Sequence, residues 1–291
     1  MMCKWFGLTR QAYYQHFTIK KQATHQQHIL IQEVIACRTQ HKMMGTRKLY
    51  HQLQPFLAEH AIKIGRDAFF SLLKNNNLLI RKRHRKIQTT FSKHWMKKYP
   101  NLIKALTPTH SNQLWVSDIT YWKIKNEFLY ISFITDAFSR KIVGYNVAKS
   151  LHSVETCKAL KMALDGLKKQ GIVPENLIHH SDRGSQYCER NYVNILNNWN
   201  IQISMTENGD PLENAIAERV NGILKSEYLE YVVIRNFEHA KYELEKAVDL
   251  YNNQRPHLSI NYHYPSYVHK TNIKNQPVWK NYFKKNTTFV N

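Results

Sequence analysis

Three carboxylates, Asp118, Asp182 and Glu218, have the type and setting for metal-dependent chemistry in this 291-residue chain. Asp118 lies inside the apolar run Trp115-Val-Ser-Asp-Ile-Thr-Tyr-Trp122. Asp182 closes a short run through His179-His180-Ser181, just before the turn-like Arg183-Gly184-Ser185. In open α/β sheets ligands gather at the carboxyl ends of strands, which suits Asp182. Glu218 sits within Glu213-Asn-Ala-Ile-Ala-Glu-Arg-Val-Asn-Gly-Ile-Leu-Lys225. At roughly 100° per residue, Asn214, Glu218 and Lys225 share one helix face, while Ile216, Val220, Ile223 and Leu224 point to the other. Three converging acids repel one another unless hard cations neutralise them, so they are the expected catalytic and metal-binding residues. Their ligand would be Mg²⁺ or Mn²⁺, as two ions, in phosphoryl transfer. Lys225 is placed to hold a substrate phosphate, and Asn214 is a second expected DNA contact.

Strands and helices must bring these residues together. The pattern predicts strands at 115–122, 128–134 and 141–148, joined by short links as an antiparallel meander. Phe128-Leu-Tyr-Ile-Ser-Phe-Ile134 is apolar on both faces, as in a central strand. A helix is expected from Ser153, as N-cap, through Cys157, Leu160, Leu164 and Leu167 to Gly171. Strand 177–182, a helix near Tyr187–Trp199, strand 202–205, and helices 214–228 and 237–252 follow, an α/β layout. Adjacent strand residues point oppositely, so at most one of His179 and His180 can face the site, and structural roles are expected for both. Asp136 is expected to cap the turn before Ser139-Arg140. Arg255, before Pro256, ends a helix where it could meet a phosphate. Trp279 and Phe283 have no assignable role.

Basic charge flanks this acid-bearing centre. Of 42 Lys+Arg and 21 Asp+Glu, residues 1–106 hold 20 and 3, residues 107–257 hold 17 and 18, and residues 258–291 hold 5 and none. Such basic blocks act on polyanions, nucleic acid foremost. Residues 1–80 read as helices: one through Leu30, Val34 and Cys37, one from Gly45 and Thr46 through Leu49, Leu53 and Phe56, and a third. That third helix carries Ala68, Phe69, Leu72 and Leu73 inward and Arg66, Ser71, Lys74 and Asn75 outward. A helix-turn-helix reader and a plain three-helix bundle fit this pattern equally, and the charge favours the reader, with Arg66 and Lys74 facing DNA. Residues 81–106 form a basic linker whose Arg81, Lys82, Arg83, Arg85 and Lys86 would grip phosphates, and residues 258–291 form a basic tail. Cys3, Cys37, Cys157 and Cys188 form no Cys-x-x-Cys pair, which argues against a disulfide framework or zinc site and makes a reducing cytoplasm the default compartment. No apolar run is long enough for a membrane helix.

Spacing alone does not single out three of the 18 acids in the centre; the motifs around them do. The chain resembles the transposases of insertion-sequence family three, whose catalytic core is similar to that of retroviral integrases. The resemblance runs through Trp115–Tyr121, Asp136-Ala-Phe-Ser-Arg-Lys-Ile-Val-Gly144, His180-Ser-Asp-Arg-Gly-Ser-Gln-Tyr187, Asn214-Ala-Ile-Ala-Glu218 with Leu224-Lys225, and Tyr251-Asn-Asn-Gln-Arg-Pro-His257. Thirty-five residues separate Asp182 from Glu218, the spacing of that family's acidic triad. The resemblance implies an RNase H-like mixed sheet, three antiparallel strands plus two parallel, with flanking helices, over 107–257. It carries the triad onto Asp118, Asp182 and Glu218 and the helix lysine onto Lys225. Glu213 replaces a frequent Asp, and Arg219-Val-Asn221 replaces a common Ser-Phe-Phe.

By that resemblance the enzyme cuts at insertion-element ends, and the freed 3′-hydroxyl attacks another phosphodiester. Element and target DNA are its expected partners, handled by a homo-oligomer in the bacterial cytoplasm at the nucleoid. The product of an upstream frame, joined by frameshifting, is a further expected partner. Two other readings share these features: a DNA-binding regulator whose α/β domain is not catalytic, and a nuclease of the same fold that hydrolyses without joining.

Overall fold

A computed structural model describes residues 7, 9–80, 95–124, 127–207 and 211–273. The chain divides into two compact units, residues 1–83 and 84–291. The expected strap residues Arg81, Lys82, Arg83, Arg85 and Lys86, together with Cys3, Trp279 and Phe283, lie outside the described residues.

The first unit is helical. Helix α1 (Arg10–Gln40) starts at Thr9, whose hydroxyl accepts the Ala12 N–H, the usual Ser/Thr cap. The single helix expected from Thr46 to Phe56 is instead two, α2 (Thr46–Gln52) and α3 (Gln54–Glu59), broken at Leu53. Pro55 explains the break, because it has no N–H to donate and its ring collides with the carbonyl four residues back. Helix α4 (Arg66–Asn75) buries Phe69, Leu72 and Leu73 against Leu30, Val34, Leu49 and Leu53. Ala68, expected inside, is exposed; Arg66, Ser71, Lys74 and Asn75 form the outer face as expected.

The second unit is built on a five-stranded sheet: β1 (Leu114–Ile124), β2 (Glu127–Asp136), β3 (Ile142–Ala148), β4 (Ile178–Ser181) and β5 (Gln202–Met205). Their order is β3-β2-β1-β4-β5. The β1–β2 and β2–β3 pairs are antiparallel, and β1–β4 and β4–β5 are parallel. This is the RNase H-like mixed sheet, and helix α5 (Ser153–Lys169) provides the crossover that a parallel β4 requires. His152 rather than Ser153 is the α5 N-cap, and no side chain caps it. At its other end Gly171 turns the chain at φ +66°, a conformation glycine adopts without steric penalty.

Helices cover both faces. On one face α5 and α7 (Arg190–Asn198), which follows the short α6 (Ser185–Cys188), pack Leu160, Leu164, Tyr192 and Leu196 against Trp115, Ile134 and Ile203. The single helix expected over 187–199 therefore divides at Glu189, whose carboxylate caps α7 through the Asn191 N–H. On the other face lie α8 (Ala215–Ile223), a wider turn over Leu224–Leu229, and α9 (Phe237–Asn253). They set Val220, Ile223, Leu224, Leu244 and Val248 on Trp122, Leu129, Ile131 and Phe133. Burial of one such side chain contributes about 1.5–3 kcal/mol, enough for the odd–even alternation of β1 to fix which face each residue takes. Phe128 departs from the expected burial: it lies at the hairpin tip, half exposed, edge-on to Tyr121.

Residues beyond 257 are not a separate tail at their start. Helix α10 (Pro265–Thr271) buries Val268 and His269 on the sheet unit. The His269 ring meets the Ser139 hydroxyl at 3.0 Å, and Asn272 Oδ1 accepts the Ser111 N–H. No described helix is long and apolar enough to cross a membrane.

Candidate active site

Register places the first two acids. Parallel pairing matches Val116 to His180 and Ser117 to Ser181, so the next step along both strands brings Asp118 beside Asp182. Neighbouring strands are about 4.8 Å apart, and residues in register point to the same face. That face is the one α8 covers, since Trp122, four residues on from Asp118, packs beneath α8 and α9. Asp182 folds back so that its Oδ1 accepts the Gly184 N–H at 3.0 Å, which makes the expected turn. A Cβ on Gly184 would meet that same oxygen at 3.0 Å, so the turn fits around a bare glycine.

Glu218 enters from above, in the first turn of α8 and half-buried. A glutamate there is favoured by the positive end of the helix dipole. Its neighbours tie the helix to β1. Asn221, one turn further on the same face, donates its amide to Asp118 Oδ2 at 2.7 Å. Asn214, ahead of the helix, donates its amide to the Ser117 carbonyl at 2.9 Å. Asn214 was expected to touch DNA; the structure buries it at 6% exposure and turns its amide inward. Asn221 was not singled out as a site residue, although a polar residue three after Glu218 must share its face.

Electrostatics shows how close the acids are. Burial, then the charge of Asp182, pushes the Asp118 carboxyl well above its usual range; Glu218 pushes the same way, while the Ile119 N–H and the Asn221 amide pull it back. Opposed like charges of this kind mark a site built for a cation. The donors are all oxygen: besides the carboxylates, Asn214 Oδ1 and Asn221 Oδ1 are buried without a hydrogen-bond partner. Such a set fits a hard divalent ion. Among the described residues no three His, Cys, Asp or Glu side chains form one ligand-sized cluster.

Both histidines are spent elsewhere. His179 Nε2 lies 3.0 Å from Ser117 Oγ and 2.9 Å from Tyr192 Oη on the opposite face, and His180 Nδ1 lies 2.8 Å from Ser204 Oγ. Burial lowers their pKa values to about 3 and about 4, so both rings are neutral in ordinary buffers. Asp136 is the expected turn cap. It is fully buried and accepts from the N–H and hydroxyl of Ser139 and from the Asn112 N–H. Lys225 starts the second residue of the wide turn, half-buried, seven residues from Glu218. Arg255 is not available to a phosphate: its guanidinium is fully buried and paired in two hydrogen bonds with Glu227. Cys157 is a buried helix residue as expected, and Cys37, Cys157 and Cys188 are free thiols.

A five-stranded mixed sheet with one acid on a central strand, a second just past the end of the parallel strand beside it and a third on the covering helix defines an integrase-type core. Sequence comparison agrees: the family model "Integrase core domain" matches residues 108–211, and a second model of that description matches residues 199–265. The chain is 35% identical over 264 residues to the insertion element IS600 31 kDa protein of Shigella sonnei, covering 89% of this chain and 94% of that one. It is 31% identical over 215 residues to the transposase for insertion sequence element IS629 of Shigella sonnei, covering 74% and 70%. Among solved structures, a chain of the simian T-cell lymphotropic virus intasome is 18% identical, with TM-score 0.49 and coverage of 78% and 73%. The HTLV-2 integrase catalytic core, solved with magnesium, is 19% identical, with TM-score 0.44 and coverage of 55% and 97%. The chain belongs to the insertion-sequence family three transposases with an integrase-type catalytic core.

Proposed function

We propose that this transposase cuts the ends of its insertion element and joins them to target DNA, with Asp118, Asp182 and Glu218 as the catalytic carboxylates. The observation that carries the reading is the buried Asp118, one step beyond the Ser117–Ser181 pair, whose carboxyl is pushed upward by burial and by the charges of Asp182 and Glu218. Bound at these three residues, two Mg²⁺ or Mn²⁺ ions would supply the positive charge that phosphoryl transfer needs at the attacking and leaving oxygens. The protein's own part is to hold the acids in register, to fix Asp118 through Asn221, and to offer Lys225 to a phosphate. In the joining step a 3′-hydroxyl oxygen forms a bond to phosphorus and loses its proton to solvent, while the bond from phosphorus to the original 3′ oxygen breaks and that oxygen takes up a proton to leave as a new 3′-hydroxyl. One phosphodiester replaces another, so no energy source and no covalent protein intermediate are needed.

DNA binding falls to the basic segments in this reading. Arg66 and Lys74, on the outer face of α4, would read element ends, and Arg81, Lys82, Arg83, Arg85 and Lys86 would grip the backbone. Two ends must be handled together, which favours a homo-oligomer on DNA, working at the nucleoid in a bacterial cytoplasm. The product of an upstream frame is a further proposed partner.

The test is strand transfer of a labelled duplex carrying the element's terminal repeat, with Mg²⁺ present. Asp182→Asn and Glu218→Gln should each abolish joined product while leaving duplex affinity within about twofold. Joined product from either variant overturns the triad. Cleavage without joining by the unaltered chain would instead identify a nuclease, and binding without cleavage a regulator.

A further inference from the structure

The turn that carries Lys225 is unusual. After α8 the backbone widens over Leu224–Leu229, and the Glu230 N–H bonds the Lys225 carbonyl five residues back at 2.9 Å. Such π turns are rare in isolation and persist where surrounding structure enforces them. Leu224, Tyr228 and Leu229 bury the inner side of this one. Glu227 also points inward, its side chain 14% exposed, where it meets the wholly buried Arg255 from the segment that follows α9. Both contacts, Nε to Oε2 and Nη2 to Oε1, are 2.7 Å, a parallel fork. The guanidinium also lies 5.7 Å from the Tyr251 ring centre, and the Tyr251 hydroxyl donates to the Arg140 carbonyl. This chain of contacts ends on the β2–β3 turn, in the sheet itself.

Geometry links that pair to Lys225. Two residues apart, Glu227 and Lys225 would lie about 200° apart on an α-helix and somewhat less on this wider turn, in either case on roughly opposite sides of it. Fixing one side in azimuth fixes the other. A buried ion pair is a weak source of net stability, because desolvation offsets attraction, but it is strict about register, and the planar two-pronged fork of arginine is stricter than a lysine.

We infer that Arg255 and Glu227 are positioning residues: their buried fork locks the wide turn at one rotation and so aims Lys225 at the DNA strand over the acids. The lock itself does not depend on the proposed function; its effect on DNA does. Arg255 of the Tyr251–His257 motif thus serves the wide turn from inside rather than by touching DNA.

Two variants separate aim from stability. Arg255→Lys keeps the charge and loses the fork; Glu227→Leu with Arg255→Met removes both charges and leaves none unpaired, so it should still fold. In the full chain, amide hydrogen exchange at residues 224–230 should rise at least tenfold in both, with β1 and β4 amides unchanged. Unchanged exchange in this segment overturns the lock. The second measurement is the salt dependence of affinity for a fluorescent 30-base-pair duplex, with each change made also in a Lys225→Ala background. One lost phosphate contact reduces the slope of log K against log salt by about 0.9. Lys225→Ala and Arg255→Lys should each remove about that much, and the two together no more than either. Additive losses, or no loss from Lys225→Ala, overturn the link to Lys225 and leave the pair a plain internal brace. Absence of strand transfer by the unaltered chain would sink the transposition chemistry while leaving the exchange result to decide the lock.

Discussion

At the scale of single residues, the site holds a carboxylate in a place that disfavours its charge. The folded Asp118 carboxyl titrates above its unfolded value. Its unfavourable contribution therefore appears as pH rises above the unfolded carboxylate range and grows until pH passes the folded value. Asp118→Asn should raise the melting temperature at pH 8 in EDTA, and the gain should shrink toward pH 4; thermal melts across that range check it. Sites that trade stability for chemistry behave this way. His180 works with the opposite sign. Its folded pKa, about 4, is below the unfolded value, so its contribution is full above pH 6.5 and is lost as pH falls toward 4. His180→Gln should cost stability at pH 7 yet lose less between pH 6.5 and 4.5, by about 1.4 kcal/mol per pH unit for one proton. Denaturant midpoints at several pH values would show the crossing trends. The three acids are singled out because each sits in a family motif, and their catalytic role is the proposal that strand transfer tests; Asp136 could be read as a turn cap because a turn follows it. Asn221 and Arg255 could not: the first gains its meaning from a strand 103 residues away and the second from a glutamate 28 residues away, and local pattern carries no such distances.

At the scale of elements, alternation and short links point to the five strands and to the antiparallel meander of the first three, whereas the parallel pairing of the other two follows only from the family resemblance. Helix interruptions were harder. Pro55 and Glu189 each end a helix that apolar spacing alone would continue, and the wide turn at 224–229 leaves no mark in hydrophobic period at all. Packing between β3 and α5 supplies a sharp test. A Cβ on Gly144 would come within 2.2 Å of the Ala159 carbonyl oxygen and 3.0 Å of the Ala163 Cβ. Gly144→Ala should destabilise the fold by about 1–3 kcal/mol as the crossover helix is pushed off the sheet, measured by urea denaturation. A melting point equal to that of the unaltered chain would show that α5 lies further out than described.

At the scale of the molecule, the excess positive charge lies in the flanking segments while residues 107–257 are nearly neutral, and in the proposed function this separates binding from chemistry. The strap from Arg81 to Lys86 should contribute through charge alone. Neutralising Arg81, Lys82, Arg83, Arg85 and Lys86 should weaken binding to all duplexes alike and flatten the salt dependence. Affinity measured at several salt concentrations decides this, and an unchanged slope would make the strap a plain connector. The order in which the chain leaves the ribosome gives the buried fork another meaning. Asp118 emerges first, then Asp182 and Glu218, and Arg255 only near the end, while a core of this topology condenses as a unit. A nascent chain can therefore carry all three acids before the arginine that pairs with Glu227 has been made.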